Sequence, residues 1–83
     1  MRVLYFAWVR ELVGADGEDV SPPPEIATVA DLIGWLAARS EGRARAFADP
    51  SRLRAAVDQA FVPLDAPVAG AREVAIFPPV TGG

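Results

Sequence analysis

The residues with the clearest chemical prospect are the last six, Pro78-Pro79-Val80-Thr81-Gly82-Gly83. Two residues without side chains allow the α-carboxylate of Gly83 to pass a narrow channel and approach reacting groups closely. With a pKa of roughly 3.3–3.7, that carboxylate is ionised and inert at neutral pH. It becomes a reagent only when another enzyme converts it to an acyl-adenylate, which a sulfur nucleophile can displace to give a thiocarboxylate. Pro78 and Pro79 end any preceding β-ladder and hold the chain extended. Six residues at ~3.3 Å each then reach up to about 20 Å beyond the folded part. Two adjacent terminal glycines arise by chance in about 0.5% of sequences, given ~7% usage.

No other set of residues competes as a reaction centre. The chain has no cysteine and no histidine, which removes thiol nucleophiles, imidazole bases, disulfides and the usual zinc ligands. Ser21, Ser40 and Ser51 therefore lack an activating imidazole. Asp16, Glu18 and Asp19 are expected in a turn, as solvated carboxylates rather than as an acid/base pair, and no metal site is expected. Eleven Asp/Glu face eight Arg and no Lys, for a net charge of −3. Without a basic stripe, neither nucleic acid nor a membrane surface is an expected partner. No run approaches the ~20 apolar residues of a membrane span, no secretory signal is visible, and the lack of cysteine fits a reducing compartment. A cytoplasmic protein is expected.

The elements that must carry the tail follow from local patterns. With 83 residues, 52% of them hydrophobic, the chain can build one core. The expectation is one domain over 1–77, with a flexible tail over 78–83. Arg2–Trp8 reads as a strand, Val9–Val13 as a helical turn closed by Gly14, and Glu18–Ser21 as a weak strand. Pro22-Pro23-Pro24 must be a loop or edge. Thr28 and Asp31 form a capping-box-like start for the main helix, whose Val29, Leu32, Ile33, Leu36 and Ala37 recur at helical spacing. Ser40-Glu41-Gly42 closes it, and Arg43–Ala48 is a second short helix stopped at Asp49-Pro50. Strands are expected at Arg54–Asp58, Ala60–Leu64 and Glu73–Phe77. This order predicts an α+β fold of the β-grasp type, a mixed sheet packed on one main helix. A ferredoxin-like sandwich is the runner-up, but it needs a second full helix.

Strand alternation sorts the side chains into two faces. Arg2, Arg54, Asp58 and Glu73 mark the outside, which turns Val3, Tyr5, Ala55, Val57, Val74 and Ile76 inward. Val62 joins them by parity. The outer face then carries Leu4, Phe6, Phe61 and Phe77, with Ala75 on the same side. Each aromatic offers roughly 150–250 Å² of buriable surface, so three reach the ~300–600 Å² of a large apolar patch. A protein-docking surface is expected there, with Arg10 and Glu11 as possible rim charges.

Three stretches carry a family resemblance. The ending Glu73-Val74-Ala75-Ile76-Phe77-Pro78-Pro79-Val80-Thr81-Gly82-Gly83 resembles that of the molybdopterin synthase small subunits, among the ubiquitin-like sulfur carriers. The opening Val3-Leu4-Tyr5-Phe6-Ala7, followed by Val9-Arg10-Glu11-Leu12-Val13-Gly14, is similar to that family's N-terminal pattern. Ala56-Val57-Asp58-Gln59 occupies the place of its central hairpin, where Asn is commoner than Asp58. The resemblance implies a β-grasp fold whose Gly83 is adenylated by a ubiquitin-activating-like enzyme using ATP, then thiolated, with no cofactor bound by the chain itself. It implies that Gly82-Gly83 enters a large subunit and donates sulfur to a pyranopterin precursor, in a heterotetramer of two small and two large subunits. It implies interface roles for Phe6, Phe61 and Phe77, and the adjoining Leu4, Pro78, Pro79, Val80 and Thr81 are expected to contribute. Alternative readings are a carrier for another pathway, such as thiamine thiazole synthesis, and a ubiquitin-like interaction module. The absence of lysine argues against ubiquitin-style chains of this protein.

Overall fold

The computed structural model describes residues 1–79. Five strands form one mixed sheet: β1 (Arg2–Tyr5), β2 (Gly17–Asp19), β3 (Arg54–Val57), β4 (Ala60–Val62) and β5 (Glu73–Phe77), in the order β2-β1-β5-β3-β4. The strands from the two ends of the chain, β1 and β5, are parallel neighbours at the centre, with Arg2 opposite Glu73 and Tyr5 opposite Ile76. The other pairings are antiparallel. One sheet face is covered by the main helix α2 (Val29–Ala37), which buries Val29, Leu32, Ile33 and Leu36 against Val3, Tyr5, Ala55, Val74 and Ile76. This is the β-grasp arrangement; the five-strand order and the lack, among the described residues, of a second full helix set aside the ferredoxin-like alternative.

Two short helices flank α2: α1 (Ala7–Val13) and α3 (Glu41–Ala46). The capping box starts α2 as expected, since Thr28 Oγ1 accepts from the Asp31 N–H and Asp31 Oδ2 accepts from the Thr28 N–H, both at 3.1 Å. Several expected boundaries move. The first strand stops at Tyr5 rather than Trp8, because Ala7 takes a left-handed φ of +53° and turns the chain into α1. That turn lets Val9 reach the core, where it is fully buried. Ser40 does not close α2 but caps α3, accepting from the Arg43 N–H at 3.1 Å, so α3 begins earlier than Arg43. The second strand is Gly17–Asp19 rather than Glu18–Ser21, and Pro50–Arg52 makes an unforeseen 3₁₀ turn capped by Asp49. β3 ends at Val57 and β4 at Val62. Between them Asp58 and Gln59 both have positive φ, at +48° and +72°, the pattern of a two-residue type I′ hairpin. Asp58 serves that hairpin well: its Oδ1 accepts from the Arg72 and Glu73 N–H groups at 2.9 and 3.0 Å.

Helices α1 and α3 approach so closely that a Cβ at Gly42 would collide with the backbone carbonyl of Leu12. Gly42→Ala should therefore destabilise the domain by about 1–3 kcal/mol, the usual cost of overpacking. A denaturant midpoint at or above wild type would contradict this contact.

One acidic residue also departs from expectation. Glu18 lies in a strand, as the weak-strand reading has it, but its side chain is not solvated, being 18% exposed. Its Oε2 accepts from Tyr5 Oη at 2.6 Å and from Arg43 Nε and Nη2 at 3.0 and 2.6 Å, clasping β1, β2 and α3 together. Burial alone would raise the Glu18 pKa, but the Tyr5 and Arg43 hydrogen bonds and the Arg43 charge outweigh it and hold the carboxyl below 4.5. Burial, then the hydrogen bond to Glu18 and its charge, push the Tyr5 phenol well above 10.0. A depressed carboxyl contributes stability above its unfolded value of about 4.3, and this is lost as pH falls through the folded value. A raised phenol works the other way, its contribution fading as pH rises past 10. Glu18→Gln should thus give a flatter acid limb as pH falls below about 4.3 in denaturant titrations. Equal acid limbs in the two proteins would show that the clasp contributes nothing.

Candidate functional site

The sheet face opposite α2 is bare, and cross-strand register explains its shape. Leu4, Ala75, Ala56 and Phe61 line up across β1, β5, β3 and β4. The two alanines make a low floor, and both are nearly covered, at 7–8% exposure. Phe61 and Phe77 rise beside them, with ring centroids 5.7 Å apart and planes tilted by 53°. Phe6, extended at the N-cap of α1, stands at the other side. Together with Ala7, Pro78 and Pro79 these residues line an apolar groove of about 620 Å³. Phe61 is 84% exposed and Phe6 46%, while Phe77 is half-buried.

The structure therefore brings Phe6, Phe61, Phe77, Pro78 and Pro79 together as expected. It does not bring Leu4 into the groove. Leu4 is on the correct face, yet its side chain leans to the β2 edge, where its Cδ2 would lie 3.0 Å from a Cβ on Gly17. Arg10 and Glu11 pair with each other at 3.7 Å, both exposed, and neither lines the groove. The expectations for Val80, Thr81, Gly82 and Gly83 lie outside the described residues. Sequence reasoning missed Ala7 and Ala56 as lining residues; the parity that turned Ala75 outward applies equally to Ala56.

An exposed phenylalanine pair over a two-alanine floor leaves a large hydration cost unrelieved in the free protein. A shallow lining without polar side chains suits apolar side chains laid on it rather than a small polar substrate. Among the described residues no cluster of acidic side chains could hold a metal ion, and no helix is long and apolar enough to cross a membrane. The groove runs directly into Pro78-Pro79 at the end of β5, so whatever docks there meets the start of the terminal segment.

Comparison with known proteins agrees with this geometry. The profile of the ThiS family matches residues 3–83. The chain is 47% identical to the molybdopterin synthase sulfur carrier subunit of Escherichia coli (strain K12), covering 100% of this chain and 99% of that protein. It is 36% identical to the protein of the same name from Haemophilus influenzae, again over 100% and 99%. Among solved structures it resembles SAMP1 from Haloferax volcanii, with TM-score 0.75, 27% identity and 100% and 98% coverage. It also resembles a putative molybdopterin converting factor, subunit 1, from Pyrococcus furiosus, with TM-score 0.62, 30% identity and 95% of each chain covered. A family profile matched over residues 3–83, together with 47% identity to a sulfur carrier subunit over the whole chain, leads to one assignment: the chain belongs to the ThiS family, with the molybdopterin synthase sulfur carrier subunits.

Proposed function

We infer that this chain carries sulfur on the carboxyl group of Gly83 and delivers it within a molybdopterin synthase. The observation that supports this most is the adjacency of a bare apolar groove to the segment that leads to Gly82-Gly83. Docking on Phe6, Phe61 and Phe77 holds the domain, and the end of the chain then reacts as an intramolecular reagent at high effective concentration.

The chemistry balances without any catalytic side chain of this domain. A Gly83 carboxylate oxygen attacks the α-phosphorus of ATP held by a ubiquitin-activating-like adenylyltransferase, releasing pyrophosphate and giving the acyl-adenylate. Hydrosulfide attacks the carbonyl carbon, the bond to AMP breaks, and loss of a proton gives the thiocarboxylate; a persulfide donor gives an acyl disulfide instead, which a thiol reduces to the thiocarboxylate while itself ending in a disulfide. In the large subunit that sulfur passes to the pyranopterin precursor, hydrolysis of the acyl group returns the carboxylate, and two such deliveries complete a dithiolene. The domain contributes the docking face and the reach of the tail.

Intact mass spectrometry tests the reading. Incubation with ATP, the adenylyltransferase and a sulfur source should add about 16 Da, oxygen replaced by sulfur at one carboxyl. An unchanged mass, with the adenylyltransferase active on another carrier, would refute it. Transfer to a lysine of another protein instead of a pterin would favour the conjugating ubiquitin-like alternative.

A further inference from the structure

We propose that Trp8, steadied by Arg52, is a positioning residue that sets the direction in which Pro78-Pro79 leave the sheet. The inference rests on the sulfur-carrier reading for its consequence, but its geometry stands apart from the docking groove. The two prolines, both half-buried, line a second concavity of about 280 Å³ together with Trp8, Ser51 and Arg52. Pro78-Pro79 is thus a ridge with the phenylalanine groove on one flank and the Trp8–Arg52 side on the other.

Each part of that second wall is fixed by its own element. Trp8 stands one residue after the left-handed turn at Ala7, in the first turn of α1, whose Val9 is locked in the core. Arg52 ends the 3₁₀ turn Pro50–Arg52, which is held by Asp49 Oδ1 accepting from the Ser51 N–H at 3.1 Å and from Ser51 Oγ at 2.6 Å. The Arg52 guanidinium lies over the Trp8 ring, 4.9 Å from its centroid, a cation–π stack that restrains both side chains. Neither residue lines the phenylalanine groove. A wide flat ring facing a stiff proline pair across this concavity limits the directions in which Pro78-Pro79 can leave β5. Fixing that direction before docking reduces the ordering entropy lost on association. The effect should fall on the rate within the docked complex, not on docking itself.

Two measurements on the full-length protein test this. In the free protein, the Cα–H order parameter of Pro79 should drop from the ordered range of about 0.85 toward about 0.6 in Trp8→Ala. Trp8→Phe, which keeps a flat ring, should retain the wild-type value. With saturating adenylyltransferase and ATP, Trp8→Ala should slow thiocarboxylate formation by about 5–20-fold while its Kd stays within about twofold, the signature of misorientation. Trp8→Phe should recover most of that rate, and Arg52→Ala should fall between. An unchanged Pro79 order parameter in Trp8→Ala would overturn the proposal, as would a loss confined to Kd, which would make Trp8 a contact residue. The NMR arm needs no partner, so it decides the positioning role even where the wild-type chain gains no sulfur.

Discussion

Deleting Gly83 should lower thiocarboxylate formation by at least about 100-fold while leaving the fold intact. The two halves of that expectation have separate causes. β5 ends at Phe77, and among the described residues Val74 and Ile76 are fully buried in the core, so removing Gly83 leaves the strand and core that hold the domain. Its melting temperature should stay within about 1 °C, because stability changes follow lost burial or bonding. Chemistry is less forgiving. Shortening the chain by one residue withdraws the carboxylate by about 3.3–3.6 Å, and a misplacement of even about 1 Å from a near-attack geometry can cost on the order of 100-fold. Intact mass and circular dichroism on the same sample separate the two halves. A truncated chain that still gains sulfur at the wild-type rate would remove Gly83 as the reacting group.

The second large effect concerns the docking face. Phe61→Ala should weaken association with the molybdopterin synthase large subunit by about 2 kcal/mol or more, roughly 30-fold in Kd, as for a central aromatic anchor. Phe61 is the clean choice because it is 84% exposed in the free domain, so its truncation opens no internal cavity and the unfolding midpoint should hardly move. Phe77→Ala should weaken binding by about 2 kcal/mol as well, but Phe77 is half-buried in β5 and rests on Phe61, so part of its effect will appear as lost stability. Titration calorimetry for binding and denaturant melts for stability distinguish these contributions. Unchanged affinity for Phe61→Ala would place the partner on another face.

The bare apolar face was readable in advance only as far as strand alternation reaches. Val3 and Tyr5, Val74 and Ile76, and Ala55 sort inward because Arg2, Glu73 and Arg54 mark the outward parity of their strands, and the structure buries all five. Phe61 and Phe77 follow by the same rule. Phe6 reached the correct side for a different reason from the one that parity supplies, since it stands at the N-cap of α1 and not within β1. Leu4 obeyed parity, yet it does not line the groove; its side chain packs over Gly17 at the β2 edge, where a Cβ would crowd it. Glu18 was misjudged as solvated because its partners, Tyr5 and Arg43, lie 13 and 25 residues away.

What the sequence determined alone was the set of local facts. The composition excluded thiol and imidazole chemistry, the prolines and glycines raised the expectation that the ending is the reagent, and the capping box and apolar periodicity placed α2. These depend on neighbours within about four residues, where backbone geometry and side-chain direction are fixed by covalent structure. Tertiary structure alone decided that β1 and β5 meet as a parallel pair, that Ala56 and Ala75 fall side by side to floor a groove, and that Trp8 and Arg52 stack beside Pro78-Pro79. Those are register and packing outcomes between residues dozens of positions apart. They follow from how the whole core closes around α2, which no local window of sequence contains.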